Sequence, residues 1–446
     1  MVRVAARDGS VAASPHPLFA LRRSMRIPTR LLVLPLMIGL PARAGLRPIV
    51  KPAPAPTPAT GDSVPVTVRW NRLVPRFVDE DAASRRAART AAAGDAAALR
   101  RLAQTPPPFL MRVYTILSIA QYAAVNSARD NRGASPEVAV ASASATVLTE
   151  LFTDSTVRAS IARELAHDVD AAQTGSRGAE RVVAGQHLGE DAARGVIAWA
   201  PPLNLIAPWS GTIPTGPGMW SSAPGVPPIG IMLATARGWL LDSASQFRPA
   251  PPPAHDSPAW QAALEEVRRV ARERTSEHAA IAQKWNAVDP WAPWNETASA
   301  AIRRHRMSDA DAARVLAVMN VSASDAVIAC FAAKYHYWTI RPSQADTMLK
   351  LAENVGLPNF PSYPSGHACS AGAFDAALGH YFPADHAEFT RIAEEQAMSR
   401  LYGGIHYRFD NDEGLSLGRL VARNAVERER RGGLNAWRSA GVVNKP

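Results

Sequence analysis

Cysteine is almost absent. Cys330 and Cys369 are the only two in 446 residues, too few for a disulfide framework. They lie four residues before Lys334 and two after His367, so folding could bring them together. Export would then permit a bridge, and two small buried thiols are the other reading. Lysine is nearly as scarce, occurring as Lys51, Lys284, Lys334, Lys350 and Lys445, although arginine is plentiful. No apolar run reaches the roughly 20 residues that a membrane-spanning helix needs, which argues against an integral membrane protein. Period-two alternation is missing almost everywhere, which leaves little room for half-buried strands. The net charge of +10 and pI near 10.0 come without a dense basic run interleaved with aromatics, which argues against nucleic-acid binding.

What is present is ordinary globular material, 47% apolar and 20% charged, in a chain long enough to bury a large core. The charge is concentrated at the start. Residues 1–44 hold seven arginines against one aspartate, six of the ten net positive charges. The run LLVLPLMIGL at 31–40 follows Arg22, Arg23, Arg26 and Arg30, and Pro41-Ala42-Arg43-Ala44 follows it. A basic stretch, a short apolar stretch and a small-x-small end have the layout of a signal peptide over 1–44, with export expected and Met25 a possible true start. Residues 45–65 are Pro/Ala-rich and read as a linker. Residues 66–431 read as one helical domain, and 432–446 as a flexible tail.

Within that domain the apolar spacing predicts helices over about 83–104, 109–128, 136–168, 258–285 and 308–333. Residues 198–256 are Pro/Gly-rich and predict a loop cover, anchored by Trp209, Trp220 and Phe247. The expected fold is all-α, a multi-helix bundle with a site between helices of its C-terminal part.

Three short segments carry the chemistry. In the first, Lys334 ends an apolar helix and Arg341 follows seven residues later, its backbone fixed by Pro342. A lysine where the chain otherwise uses arginine suggests a compact point charge, although a snorkelling lysine would look the same alone. Arginine adds a planar fork that matches oxyanion oxygens. The second segment is FPSYPSGHACSAGAF. Ser365-Gly366 turn the chain into a small-residue helix from about His367, and free N–H groups at a helix start favour anions. An ordinary serine N-cap is the alternative for this piece. The third segment is SRLYGGIHYRFDND, with Arg400 and His406 at helix-like spacing. His406 and Asp410 are four apart and would face the same way on a helix. A carboxylate there would hold one imidazole nitrogen and raise the basicity of the ring; a surface His–Asp pair is the bland alternative. One lysine, two arginines, a helix start and two histidines, in order within residues 334–410, suit one task together: gripping a tetrahedral oxyanion such as phosphate or vanadate.

The pattern K-x6-RP, PSGH, SR-x5-H-x3-D resembles the three-part signature of the superfamily that joins type 2 phosphatidic acid phosphatases, bacterial acid phosphatases and vanadium haloperoxidases. The resemblance implies a helical-bundle fold in which Lys334, Arg341, Ser365, Gly366 and Arg400 bind the oxyanion's oxygens. It implies that His406 bonds to vanadium or attacks phosphorus, that His367 is the general acid–base and that Asp410 orients His406. Phe360 matches an aromatic position lining the halide side in some haloperoxidases, and Phe331 would join that pocket. Ile340 and Phe331 stand where many haloperoxidases and some chloroperoxidases, respectively, carry tryptophan, a departure that bears on halide choice. The length and the large N-terminal helical region favour a vanadate-dependent haloperoxidase, with hydrogen peroxide and halide as reactants. An exported phosphatase that forms a phosphohistidine from a phosphomonoester and needs no cofactor is the second reading. A non-catalytic phosphate-binding relative is the third.

Overall fold

The computed structural model describes residues 64–93, 95, 109–173, 178–202, 209–222 and 225–440. The expected signal peptide and nearly all of the expected linker lie outside these residues. The described chain is all-α. Its longer helices are α1 (Val66–Ala91), α2 (Leu110–Asp130), α3 (Pro136–Leu151), α4 (Ser155–Ala172), α5 (Gly178–Trp199), α6 (Pro258–Arg272), α7 (Ser276–Ala287), α8 (Trp291–Arg304), α9 (Asp309–Tyr337), α10 (Gly366–Tyr381), α11 (His386–Tyr402) and α12 (Arg408–Arg430). Several begin where a short polar side chain accepts from the first free N–H groups: Ser135 before α3, Asp154 before α4, Ser257 before α6, Thr275 before α7 and Ser308 before α9.

Helix α9 runs through the core, packed by α2, α10 and α12. Contrary to the expectation that no segment reaches membrane-spanning length, α9 is long and apolar enough to do so by composition. Its most apolar window is 94% buried inside the protein, so here it is a central core helix. The region after residue 198 forms the expected cover. Among its described residues only a 3-10 turn, Ile231–Thr235, breaks the irregular chain. Trp220 and Trp209 each lie 6.1 Å from Trp338, and Phe247 packs on the core. Residues 433–440, expected as the start of a flexible tail, form a 3-10 turn and a one-turn helix, with Leu434 fully buried.

Asp325, on α9, clamps the cover. Its carboxylate accepts from the backbone N–H of Trp239 and of Leu240, each at 2.8 Å, in a fully buried place. Burial pushes this acid up to about 7. Replacing Asp325 by alanine leaves two buried N–H groups unpaired and is expected to cost about 2–5 kcal/mol. Denaturant unfolding measures this, and a change below about 0.5 kcal/mol would remove the clamp role.

Two close helix approaches position the site. A side chain at Gly418 of α12 would meet the Cys369 carbonyl of α10 at 2.1 Å, and one at Gly372 would meet the Leu415 carbonyl at 2.3 Å. These glycines let α10 and α12 cross with backbones nearly touching, which sets the start of α10 beside the start of α12. At the other side, α9 ends where Trp338 adopts left-handed backbone (φ 49°). The chain then runs extended through Thr339 and Ile340 to Arg341, pairing with the cover through Trp220 N to Trp338 O and Ile340 N to Gly218 O.

Candidate oxyanion site

Lys334, Arg341, Ser365, Gly366, His367, Arg400, His406 and Asp410 are all brought to this one end of the bundle. Lys334 is fully buried in the last turns of α9, and its Nζ donates to the Pro361 and Ser362 carbonyls at 2.8 and 2.7 Å. An ammonium has three protons, so one remains for another acceptor. Arg341 is also fully buried; Nε donates to Phe360 O (2.9 Å) and Nη1 to Ile405 O (2.8 Å). Arg400 ends α11. Its nearest partner is Asn286 Oδ1 at 3.5 Å, and no ion pair forms on it among the described residues. Among these eight residues, four buried donor atoms have no partner within the described protein: Arg341 Nη2, Arg400 Nε, Arg400 Nη1 and Ser365 Oγ. Buried polar groups are rarely left so.

Ser365 holds the N-cap position of α10, yet its hydroxyl caps nothing. The serine-cap reading therefore fails, and the hydroxyl is left for something else. Its backbone N–H donates to Asp410 O at 2.8 Å, which ties α10 to α12. Nothing lies within 4 Å of where a Gly366 side chain would start, so there is open space against this helix start. A tetrahedral oxyanion fits these residues: orphaned cationic and hydroxyl donors, a helix N-terminus and room beside a glycine.

His406 is not on a helix, as its spacing to Arg400 and Asp410 had suggested. α11 ends at Tyr402, Gly404 turns with φ +79°, and α12 starts only at Arg408. The His–Asp contact forms across that start: His406 Nδ1 to Asp410 Oδ2 at 2.8 Å, both groups buried. His406 Nε2 faces Arg341 Nη1 at 3.5 Å. Burial pushes the imidazole well below its ordinary range, helped by Arg341, Lys334 and Arg400. Burial raises Asp410 to about 6, so at neutral pH the pair is a neutral imidazole on a carboxylate. His367 is partly exposed and donates through Nε2 to Trp285 O at 3.1 Å. It too is held well below its usual range, by burial and then by Arg400.

Phe360 and Phe331 form one edge-on pair, 5.3 Å apart. Lys334 Nζ and Arg341 Cζ each lie 5.0 Å from the Phe360 ring, so its face backs both cations. Cys330 and Cys369 are unbridged, buried thiols. Three participants were not anticipated from the sequence: Ser362, whose hydroxyl reaches Asp410 Oδ2, and Trp285 and Asn286 at the end of α7.

The buried lysine carries a pH signature. Burial lowers Lys334 to about 8 from 10.5. Between these values the unfolded chain holds a proton that the fold has released, so its contribution to stability rises with pH across that window. If the site holds an oxyanion as proposed below, its affinity is expected to run the other way, falling as pH passes about 8 and the ammonium discharges. Denaturant unfolding and anion titration from pH 7 to 10 read both, and Lys334→Met is expected to flatten both slopes.

These features describe an all-α protein with a buried cluster of cations, histidines and a helix start whose chemistry would fit a tetrahedral oxyanion. Residues 313–429 match the family model of the PAP2 superfamily. Among curated proteins, a vanadium-dependent bromoperoxidase of Ascophyllum nodosum is 31% identical over 111 residues, 18% of this chain and 20% of that protein. A lipid A 1-phosphatase of Rhizobium johnstonii is 38% identical over 71 residues, 16% of this chain and 29% of that one. The matched stretches thus span less than a third of either relative. Among solved structures, a bacterial vanadium-dependent iodoperoxidase superposes with TM-score 0.61 at 24% identity, covering 72% of this chain and 91% of that one. A bacterial vanadium-dependent chloroperoxidase superposes with TM-score 0.57 at 14% identity, covering 72% and 94%. The fold is that of these peroxidases.

Proposed function

We propose that the protein is a vanadate-dependent haloperoxidase-like enzyme that oxidises halide with hydrogen peroxide to hypohalous acid. The observation that carries this reading is the set of four unpartnered buried donors around His406 and the open space at Gly366. Arg341, Arg400, Ser365, the α10 N-terminus and the third proton of Lys334 would hold vanadate, and His406 Nε2 would bind its vanadium. When bound, vanadate supplies Lewis-acid activation of peroxide without a change of its own oxidation state. The chain's part is to neutralise anionic charge with three cations, keep His406 neutral by burial beside those cations and oriented by Asp410, and move a proton at His367. Burial of nearly every one of these groups suits small reactants such as peroxide and halide, and the Phe331–Phe360 pair supplies an apolar wall for the halide side. The likeness to peroxidase structures over most of the chain supports the same branch.

Phosphatase chemistry is the second reading, supported by the 38% identity to a lipid A 1-phosphatase in the motif region. There His406 would attack phosphorus, and His367 would protonate the leaving alcohol and then activate water. The five-coordinate transition state resembles vanadate, so one site suits both. We further propose that residues 1–44 are an export signal, which sequencing of the secreted N-terminus tests: a start before Gly45 would refute it.

The deciding experiment loads the protein with orthovanadate, excludes phosphate, and follows peroxide-dependent halogenation of a chromogenic acceptor with iodide, bromide and chloride. Vanadate-dependent turnover is expected. Vanadate binding without turnover, alongside ready cleavage of phosphomonoesters by vanadate-free protein, would reverse the order of the two readings.

A further inference from the structure

Ser362 lies in the approach to the Ser-Gly turn, fully buried. Its backbone is fixed on both sides: N–H donates to Thr339 O at 2.9 Å, and its carbonyl accepts from Lys334 Nζ at 2.7 Å. With the backbone so held, the hydroxyl is aimed at the His–Asp pair, 2.5 Å from Asp410 Oδ2 and 3.4 Å from His406 Nδ1. Asp410 is gripped through this one oxygen, since Oδ1 has no partner among the described residues. Besides the hydroxyl, Oδ2 accepts only from His406 Nδ1 and, at 3.2 Å, from Tyr407 N.

We propose that Ser362 is a positioning residue. Its hydroxyl fixes the Asp410 carboxylate so that His406 stays in the Nδ1–H tautomer, with the Nε2 lone pair turned to the oxyanion site. The proposal rests on the reading above that Nε2 is the nitrogen that binds vanadium or attacks phosphorus. The geometry gives the reason. The opposite tautomer would point an N–H at the Arg341 Nη1 donor 3.5 Å away and leave Nδ1 a bare acceptor beside a carboxylate. A carboxylate held firmly on Oδ2 prevents that exchange, and a hydroxyl on a pinned backbone holds it better than the long Tyr407 contact. The serine also links two parts of the site, because the same residue anchors Lys334 through its carbonyl and the His–Asp pair through its side chain.

The test reads the tautomer directly. Protein labelled with ¹⁵N in its histidine rings is examined without oxyanion at pH 7.5, and His406 is assigned by its loss in His406→Ala. The full chain is expected to show a single Nδ1–H form at His406, Ser362→Ala a mixture with Nε2–H, and Ser362→Thr, which keeps the hydroxyl, the single form again. In turnover, with halide or phosphomonoester according to the outcome above, Ser362→Ala is expected to lower kcat by about 10–100-fold with KM little changed. An unchanged single tautomer in Ser362→Ala would overturn the proposal. So would an Nε2–H form in the unaltered protein, a result that needs no variant to fold. The ring spectra require neither vanadate nor any activity, so failure of the haloperoxidase reading leaves this test intact.

Discussion

His406→Ala is expected to remove turnover, by ~10³-fold or more, whichever chemistry the site runs. In the proposed reading the imidazole is the group that bonds the central atom. It is neutral, because burial and three cations hold it well below its ordinary range, and a carboxylate fixes its other nitrogen. A neutral, oriented imidazole is what a ligand or nucleophile requires. The fold is expected to survive. Asp410 Oδ2 keeps the Ser362 hydroxyl and the Tyr407 N–H, so the loss is one hydrogen bond and a small cavity, about 1–3 kcal/mol. Helix content and cooperative thermal unfolding check the fold, and steady-state assays check the loss. Turnover within tenfold of the unaltered protein would refute the role given to His406.

The sequence singled out the residues of the candidate site more fully than it drew the scaffold. Lys334, Arg341, Ser365, Gly366, His367, Arg400, His406 and Asp410 could be read because each belongs to a short segment whose residue types share one chemical purpose. What spacing alone could not give was conformation. The interval from Arg400 to His406 suits a helix, yet Gly404 turns the chain there and the His–Asp contact forms across a helix start. Ser362, Trp285 and Asn286 escaped because their roles depend on tertiary approach, and Trp285 contributes a backbone carbonyl that any residue could supply. Helix α5 was not anticipated either. Gly185 and Gly189 weaken its helical pattern, but side chains there would strike the Ser135 and Ala139 carbonyls at 2.7 and 2.2 Å. These glycines are demanded by close packing on the α3 segment rather than by a turn. Lys334 shows the reverse case. A snorkelling lysine was a fair alternative from sequence, and full burial of the ammonium against two carbonyls excludes it.

Arg400→Ala separates binding from folding more cleanly than any other change at this site. In the free protein the guanidinium is buried with Nε and Nη1 unpartnered, and burial lowers it to about 10. A desolvated cation without a carboxylate costs stability. Its removal is therefore expected to leave the free protein's melting temperature unchanged or higher, after a small cavity penalty. Affinity should respond in the opposite sense. Two charge-assisted hydrogen bonds, worth about 1.5–3 kcal/mol each, predict an oxyanion Kd weaker by roughly 10²–10⁴-fold. Thermal unfolding against rising orthovanadate, and separately phosphate, reads both quantities, because a ligand stabilises only the state it binds. At a concentration one hundred times its Kd the unaltered protein gains about 2.7 kcal/mol. The variant at that same concentration should gain less than about 0.5 kcal/mol, by the same relation. A variant that melts lower when free but keeps the full ligand-induced gain would make Arg400 a structural residue and remove it from the oxyanion site.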